Sequence, residues 1–309
     1  MTWVLQGAGL LVMALLASLQ PSTGQAQPQL HTMTCGADRT IGDALRTLKP
    51  GDTLLVSGTC NENVVLGAEV HRITLDGQGT AVINGGTAAN AVTVLGTGIT
   101  IRGFVINGGA PQGIAVTDGA SAVIDRNTIQ YADRNGITVF RNSSADILNN
   151  IVQFNGLAGI AIQNTSSARI GWYGPPNNRV SAPNVIQNNA AQGIQVYRGS
   201  SAQIFSNTIQ NNGREGVLVD RSAQAEVAAC TISGNGADGV RGFRNAGIDF
   251  GTDANNTTPA FDDNTNTGSG NVGYGVKCAL DGFLDGALGT LSGTLGGKNS
   301  AEACVDSLQ

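Results

Sequence analysis

The chain is poor in most of the residues that carry out chemistry. Of its 309 residues two are histidines, His31 and His71, and three are lysines, Lys49, Lys277 and Lys298. None falls between residues 114 and 243, so that long central part has no imidazole or amine base, and no imidazole-rich metal cluster can be built there. We expect no metal and no cofactor. Aromatic residues make up 5% of the chain and charged residues 13%, so the interior is packed with Ile, Val and Ala. The formal charge of −5 argues against nucleic acid or an anionic membrane as partner. After residue 19 no stretch is apolar and long enough to span a bilayer. Residues 4–19, "VLQGAGLLVMALLASL", form one apolar run followed by the small and polar "QPSTGQAQPQ". Although no Lys or Arg precedes it, the run reads as a secretory signal, residues 1–26, cleaved near Ala26. The expected location is secreted or periplasmic, with no membrane insertion.

A repeat is present in abundance. Apolar residues preceded by glycine recur at Ile114, Ile137, Ile160, Ile194, Val217 and Val240, in steps of 23, 23, 34, 23 and 23 residues. One line therefore carries an 11-residue insertion. Ten residues before each following start stand Asn127, Asn150, Asn184, Asn207 and Cys230. A period in the twenties means a solenoid. Within a line apolar residues alternate, as in Ile194/Val196 and Ala202/Ile204, which is the period of strands. Three short strands fill each line, broken by Ser-Ser, Ser-Asn and Asn-Asn-Gly. Stacked in register about 4.8 Å apart, the lines form three parallel sheets. The Asn127–Asn207 row becomes a buried amide ladder. The glycine before each first strand is read as a turn position with positive φ. The expected fold is all-β, a single-stranded right-handed parallel β-helix.

The pattern "GIxV…SxAxIxxNxIxxN" resembles the right-handed parallel β-helix repeat shared by pectate lyases, polygalacturonases, alginate epimerases, phage tailspikes and many secreted bacterial proteins. The resemblance covers residues 53–275 and carries fold more than function, since these families keep their chemistry outside the scaffold residues. It implies that the outer face of the first strands, with its flanking turns, is where a polysaccharide would lie.

Residues 27–52 form an N-terminal cap, needed because an open solenoid exposes a strand edge. In "TIGDALRTLKPGD", Thr40 serves as N-cap and Ile41, Ala44, Leu45 and Leu48 share one helical face, with Pro50-Gly51 as the stop. Residues 276–309 form the C-terminal cap. Cys35 and Cys60 bracket the first cap, Cys278 and Cys304 the last, and we pair them so; Cys230, inward in the Asn row, is a buried free thiol. The segment "FDDNTNTGSGN" (261–271) lacks the ligand spacing of an EF-hand and reads as a polar loop in an irregular last coil.

On the outer face of the first strands one row reads Thr117, Phe140, Gln163, Tyr197, Asp220, Phe243, and the next Asp118, Arg141, Asn164, Arg198, Arg221, Arg244. Arg198, Arg221 and Arg244 span about 10 Å at sheet spacing. Such a row either receives the carboxylates of an acidic glycan in bidentate fashion or pairs with Asp220, Glu215 and Asp238. The candidate binding set is Phe140, Arg141, Tyr197, Arg198, Arg221, Arg241 and Arg244. For catalysis, Glu215 and Asp238 occupy one turn position in adjacent coils, with Asp220 close by, within the range a two-carboxylate hydrolase needs, about 5–9.5 Å. They read more readily as a solvated acid pair beside Arg214 and Arg241. No Asp-Pro-His-Asp, Asn-Thr-Asp or Gly-His-Gly signature accompanies them. The expected function is a non-catalytic module that binds acidic polysaccharide or acts as a surface scaffold. The alternative is a lyase, epimerase or glycoside hydrolase acting on uronic-acid polymers. The insertion "GWYGPPNNRVSA" (171–182), which holds Trp172, is read as folding over its neighbouring coil.

Overall fold

The computed structural model describes residues 27–36, 39–175, 178–251, 265–287 and 289–299, and the backbone alone of 304–306. The signal segment 1–26 lies outside these residues. Parallel strands wind into a three-sided solenoid. One side is a sheet of nine described strands, beginning at Val64–Leu66 and Val92–Val94 and passing through Ile137–Phe140, Ile194–Tyr197 and Val240–Phe243 to Val276–Ala279. The other two sides belong to one hydrogen-bonded set, because the long strands Thr74–Gly85 and Ile99–Gly108 bend round the corner between them. The early strands Thr74–Gly85 and Ile99–Gly108 shift register once, between Asp76 and Ala81; from Ile114 onward the paired strands of successive coils keep one register. Ile160 faces Ile194 and Ile151 faces Val185 across the coil that holds the insertion, so the 11 extra residues leave the register intact. Pairing also runs on past residue 275, with Val240 opposite Val276.

The core is a stack of buried Ile, Val and Ala, and its corners hold polar ladders. Asn184 shows the pattern at one corner. Its Oδ1 accepts from the amide and side chain of Asn150 at 2.8 and 3.0 Å, while its Nδ2 donates to Ile147 O and to Asn207 Oδ1 at 2.8 and 2.9 Å. Every polar atom of the buried amide is used. Cys230 interrupts this ladder, donating its backbone N–H to Asn266 Oδ1, so the row resumes inside the segment read as irregular. Burial pushes the Cys230 thiol up to about 12, which keeps it protonated and inert. A second buried ladder, Asn155, Asn189, Asn212, Asn235 and Asn271, was not anticipated; it runs at the next corner with side-chain bonds of 2.9–3.0 Å. It follows the first row by five residues, and in one coil it is the second Asn of Asn211-Asn212-Gly213.

The recurrent glycines serve a purpose other than the expected one. Gly136 and Gly193 have ordinary φ. A Cβ on Gly193 would sit 2.4 Å from Ile209 Cγ2 and 2.7 Å from Gly216 O. These positions are glycine for want of space, because the corner packs backbone against the second Asn ladder.

The cap helix is a single turn, Ile41–Leu45, with Thr40 Oγ1 accepting from Asp43 N as expected. Ile41 and Leu45 are buried against the first coils. The Cys35–Cys60 disulfide ties the cap to the first coil. Cys278 is also disulfide-bonded, but the side chain of Cys304 lies outside the described residues. Beneath the first strand, Leu30–Thr34, the buried Asp52 carboxylate accepts from Lys49 N (2.9 Å), Gln29 N (2.8 Å) and His31 Nε2 (3.0 Å). The Lys49 amide first, then Gln29 and His31, hold its pKa below the ordinary carboxylate value.

The insertion folds outward as a hairpin, Trp172–Tyr173 antiparallel to Val180–Ser181. Trp172 is buried against Phe205 and Ala228 of the following coils, and Arg169 donates to Gly174 O at 3.3 Å. It covers the neighbouring coils, as read from the sequence.

Replacing Asn184 by Ala strands the Asn150 backbone N–H and one of its side-chain N–H groups, each costing about 1–3 kcal/mol. We expect a total loss of roughly 3–5 kcal/mol in urea unfolding. Because its folded pKa is depressed, Asp52 contributes stability that is present above the ordinary carboxylate range and lost as pH falls through it. Hydrogen-exchange protection of Leu30–Thr34 should therefore fall on acidification below about pH 4, and Asp52→Asn should remove that pH dependence.

Candidate functional site

The outer face of the nine-stranded sheet carries a cavity of about 320 Å³ over three coils, with Gln192, Tyr197, Arg198, Glu215, Asp220 and Arg241 among its lining residues. Arg214, Arg221, Phe243 and Arg244 complete its polar and aromatic rim. Stacking alone brings them together. Tyr197 is the register partner of Asp220, and Asp220 of Phe243, so residues 23 apart in sequence lie side by side. Five guanidinium groups face two carboxylates, a surplus of three positive charges on a chain whose net charge is −5.

The ion pairs divide the arginines. Asp220, almost wholly buried, is held in bidentate fashion by Arg244, Nε–Oδ1 2.8 Å and Nη2–Oδ2 2.7 Å. Arg221 reaches the same carboxylate only at 3.8 Å. Glu215, equally buried, takes Arg241 Nη1 at 3.3 Å, Arg214 Nε at 3.7 Å and Gln192 Nε2 at 2.9 Å. Arg241 and Arg244 also lie over the Phe243 ring, at 4.4 and 4.5 Å from its centroid, where the ring quadrupole favours cations. Arg198 is different. Among the described residues it makes no ion pair, and its guanidinium lies 5.1 Å over the Tyr197 ring.

The backbone sharpens that contrast. Arg141, Arg198, Arg221 and Arg244 occupy the left-handed region, with φ of 55°, 58°, 55° and 52°, while Asn164 serves the same turn with φ 55°. A left-handed conformation costs a branched or long L-residue about 1–2 kcal/mol, and Asn and Gly bear it most easily. Arginine is thus the conformationally expensive choice at this turn in four coils.

The expected residues do not all converge. Tyr197, Arg198, Arg221, Arg241, Arg244, Glu215 and Asp220 share the cavity. Phe140 and Arg141 lie in an earlier coil, where Arg141 pairs with Asp118 at 3.3 Å and covers the Phe140 ring. Glu215 and Asp238 are not the solvated pair read from the sequence, since both are buried. Asp238 lies outside the cavity lining and accepts from Tyr274 N at 2.9 Å. Burial pushes its pKa up, and the Glu215 charge adds to the rise; the Tyr274 amide, Lys277 and Arg241 oppose it. Gln192 went unnoticed in the sequence, although it stands in the same turn row as Glu215.

The family profile described as "Right handed beta helix region" matches residues 54–172 and 178–279. This chain belongs to the right-handed β-helix family. Comparison with curated proteins returns no match. Among solved structures, this β-helix is similar to the pectate lyase Pel9A, at 12% identity over 90% of this chain and 80% of that one, with a TM-score of 0.60. It is also similar to the A-module of the Azotobacter vinelandii mannuronan C-5 epimerase AlgE4, at 17% identity over 90% and 88% of the two chains, TM-score 0.53. The enzymatically active domain of bacteriophage CBA120 tailspike protein 2 aligns at 10% identity over 87% of this chain and 45% of the phage chain, TM-score 0.58. At such identities the likeness is one of fold.

Replacing Arg198 by Asn should relieve its backbone without breaking an ion pair. We expect a gain of about 0.5–1 kcal/mol in folding stability, read by denaturant unfolding. Arg244→Asn should destabilise instead, because it leaves the Asp220 carboxylate buried and unanswered.

Proposed function

We propose that the arginine-lined cavity on the outer face of the first sheet binds an acidic polysaccharide, and that the protein acts as a non-catalytic glycan-binding module. The observation that carries this reading is the surplus of three guanidinium groups, with Arg198 in no ion pair among the described residues and held in a costly backbone conformation. A carboxylate presented to the Arg198–Arg221 ridge would receive charge-assisted hydrogen bonds, and Tyr197 and Phe243 offer ring surface to the sugar. The two acidic groups in the cavity are spent on holding Arg241 and Arg244 in place, so neither is free as a base. The disulfide Cys35–Cys60 supports an oxidising compartment, in keeping with secretion or a periplasmic site. Among the described residues no helix is long and apolar enough to cross a membrane.

A second reading, turnover of uronic-acid polymers by lyase, epimerase or hydrolase chemistry, draws on Asp238. Burial raises its carboxyl above the ordinary carboxylate value, the direction that general acid or base work asks of a carboxyl. The similar proteins named pectate lyase and mannuronan C-5 epimerase agree with that class.

Polygalacturonate or alginate should bind the purified protein with an affinity that falls as salt rises, and Arg198→Asn with Arg221→Asn should weaken binding by more than about tenfold. Binding that ignores both salt and these substitutions removes the cavity from consideration. Ultraviolet-absorbing unsaturated products or new reducing ends, lost in Asp238→Asn, would establish the second reading.

A further inference from the structure

The third side of the solenoid carries a polar ladder outside as well as in. Asn61, Asn84, Asn107, Gln130, Gln153, Gln187 and Gln210 stack on the outer face, and each side-chain amide after Asn61 donates to the side-chain carbonyl of the coil before it at 2.9–3.0 Å. Within the ladder an interior amide uses one of its two N–H groups and one of its two lone pairs. The remainder faces outward from a half-buried side chain.

At the residue after this ladder the chain turns through the left-handed region in each coil from Gly108 (φ 74°) to Gly234. Asn188 (φ 55°), Asn211 (φ 54°) and Gly234 (φ 63°) take that turn with residues suited to it. In two coils the position is held instead by Tyr131 (φ 61°) and Phe154 (φ 54°). A bulky aromatic is among the poorest choices for this backbone. Nor are the rings recovered by burial. Tyr131 is 58% exposed and Phe154 45%, and their rings stack on each other with centroids 5.9 Å apart at an interplanar angle of 13°. Ile151 and Leu157 beside them are exposed too. Two strained positions thus hold apolar rings in water, next to a row of half-satisfied amides.

We propose that Tyr131 and Phe154, with Gln130 and Gln153 beside them, form a second carbohydrate site that takes an uncharged pyranose ring. The C–H face of the sugar covers the exposed ring surface, and its hydroxyls bond the unspent amide donors and acceptors. The patch is too small for a folded partner. The exposed part of the two rings amounts to about 200 Å², whereas a stable protein interface needs about 800 Å² per side. The site contains no charge of its own and is independent of the arginine cavity, so it stands whether or not that cavity binds acidic glycans.

The test is calorimetric titration of the full chain with neutral cello-, manno-, laminari- and galacto-oligosaccharides, against the double variant Tyr131→Asn/Phe154→Asn. Asparagine already serves this turn in two coils, so the variant should fold with an unchanged or higher melting temperature. We expect it to bind at least about tenfold more weakly than the parent chain. Binding to the parent should be insensitive to added salt and unchanged by Arg198→Asn/Arg221→Asn. The proposal is overturned if no oligosaccharide binds, if the double variant binds as well as the parent, or if its melting temperature drops, which would mark the rings as packing. It is also overturned if sedimentation shows the parent self-associating through this patch and the variant monomeric, since a second copy would then be the occupant.

Discussion

Everything in this molecule depends on the coils lying exactly one above another, and buried amides impose that condition. A slip of one residue in a sheet of stacked Ile and Val exchanges inside for outside, but apolar packing alone tolerates small offsets. A buried asparagine does not. Its carbonyl and one N–H are spent on the coil before and its other N–H on the coil after, so any offset leaves several polar atoms unsatisfied in the interior. Two such ladders bracket the short third strand of each coil, and a row of serines does part of the same work at the remaining corner, where Ser143 and Ser166 donate their backbone amides to the hydroxyl of the coil beyond. The arginine ridge is a consequence. Residues 198, 221 and 244 become neighbours because Asn184, Asn207 and their counterparts hold their own coils in line.

Much of this was legible in the order of residues. The 23-residue step, the inward Asn127–Asn207 row, the odd Cys230, the Thr40 cap and the Cys35–Cys60 bridge could all be read, because each depends on repetition or on local capping chemistry. The outer rows were equally readable, since one register assigns every residue to a face. What could not be read was depth. Glu215 and Asp238 look like solvated turn residues in the sequence, yet they are buried, Glu215 against Gln192 and Arg241 and Asp238 against the Tyr274 backbone. The repeated glycines were misread for a related reason. Their spacing marks a tight place, and only the packed corner tells a steric demand from a torsional one.

The left-handed turns are filled by two kinds of residue. Three corners per coil require this backbone, and Asn, Ser, Thr or Gly supplies it at most of them. Where Arg198, Arg221, Tyr131 and Phe154 stand instead, the fold gives up stability to present a charge or a ring. The two departures lie at different corners and differ in character, one cationic and one apolar. A single scaffold thus displays two chemistries on separate ridges, without any change to the core that supports them.

The hairpin between Gly171 and Ala182 bears on how such a scaffold can be altered. The chain leaves the coil at Gly171, whose amide donates to Ile147 O at 2.9 Å, and returns at Ala182, whose amide donates to Gly171 O at 2.8 Å. The excursion is closed at its base by that backbone hydrogen bond and by the Trp172–Ser181 pairing beside it, and the strands on either side keep their register across it. This corner is therefore a port for foreign sequence: loops of other lengths, or a whole small domain with adjacent termini, can be spliced in there while the windings above and below keep their alignment.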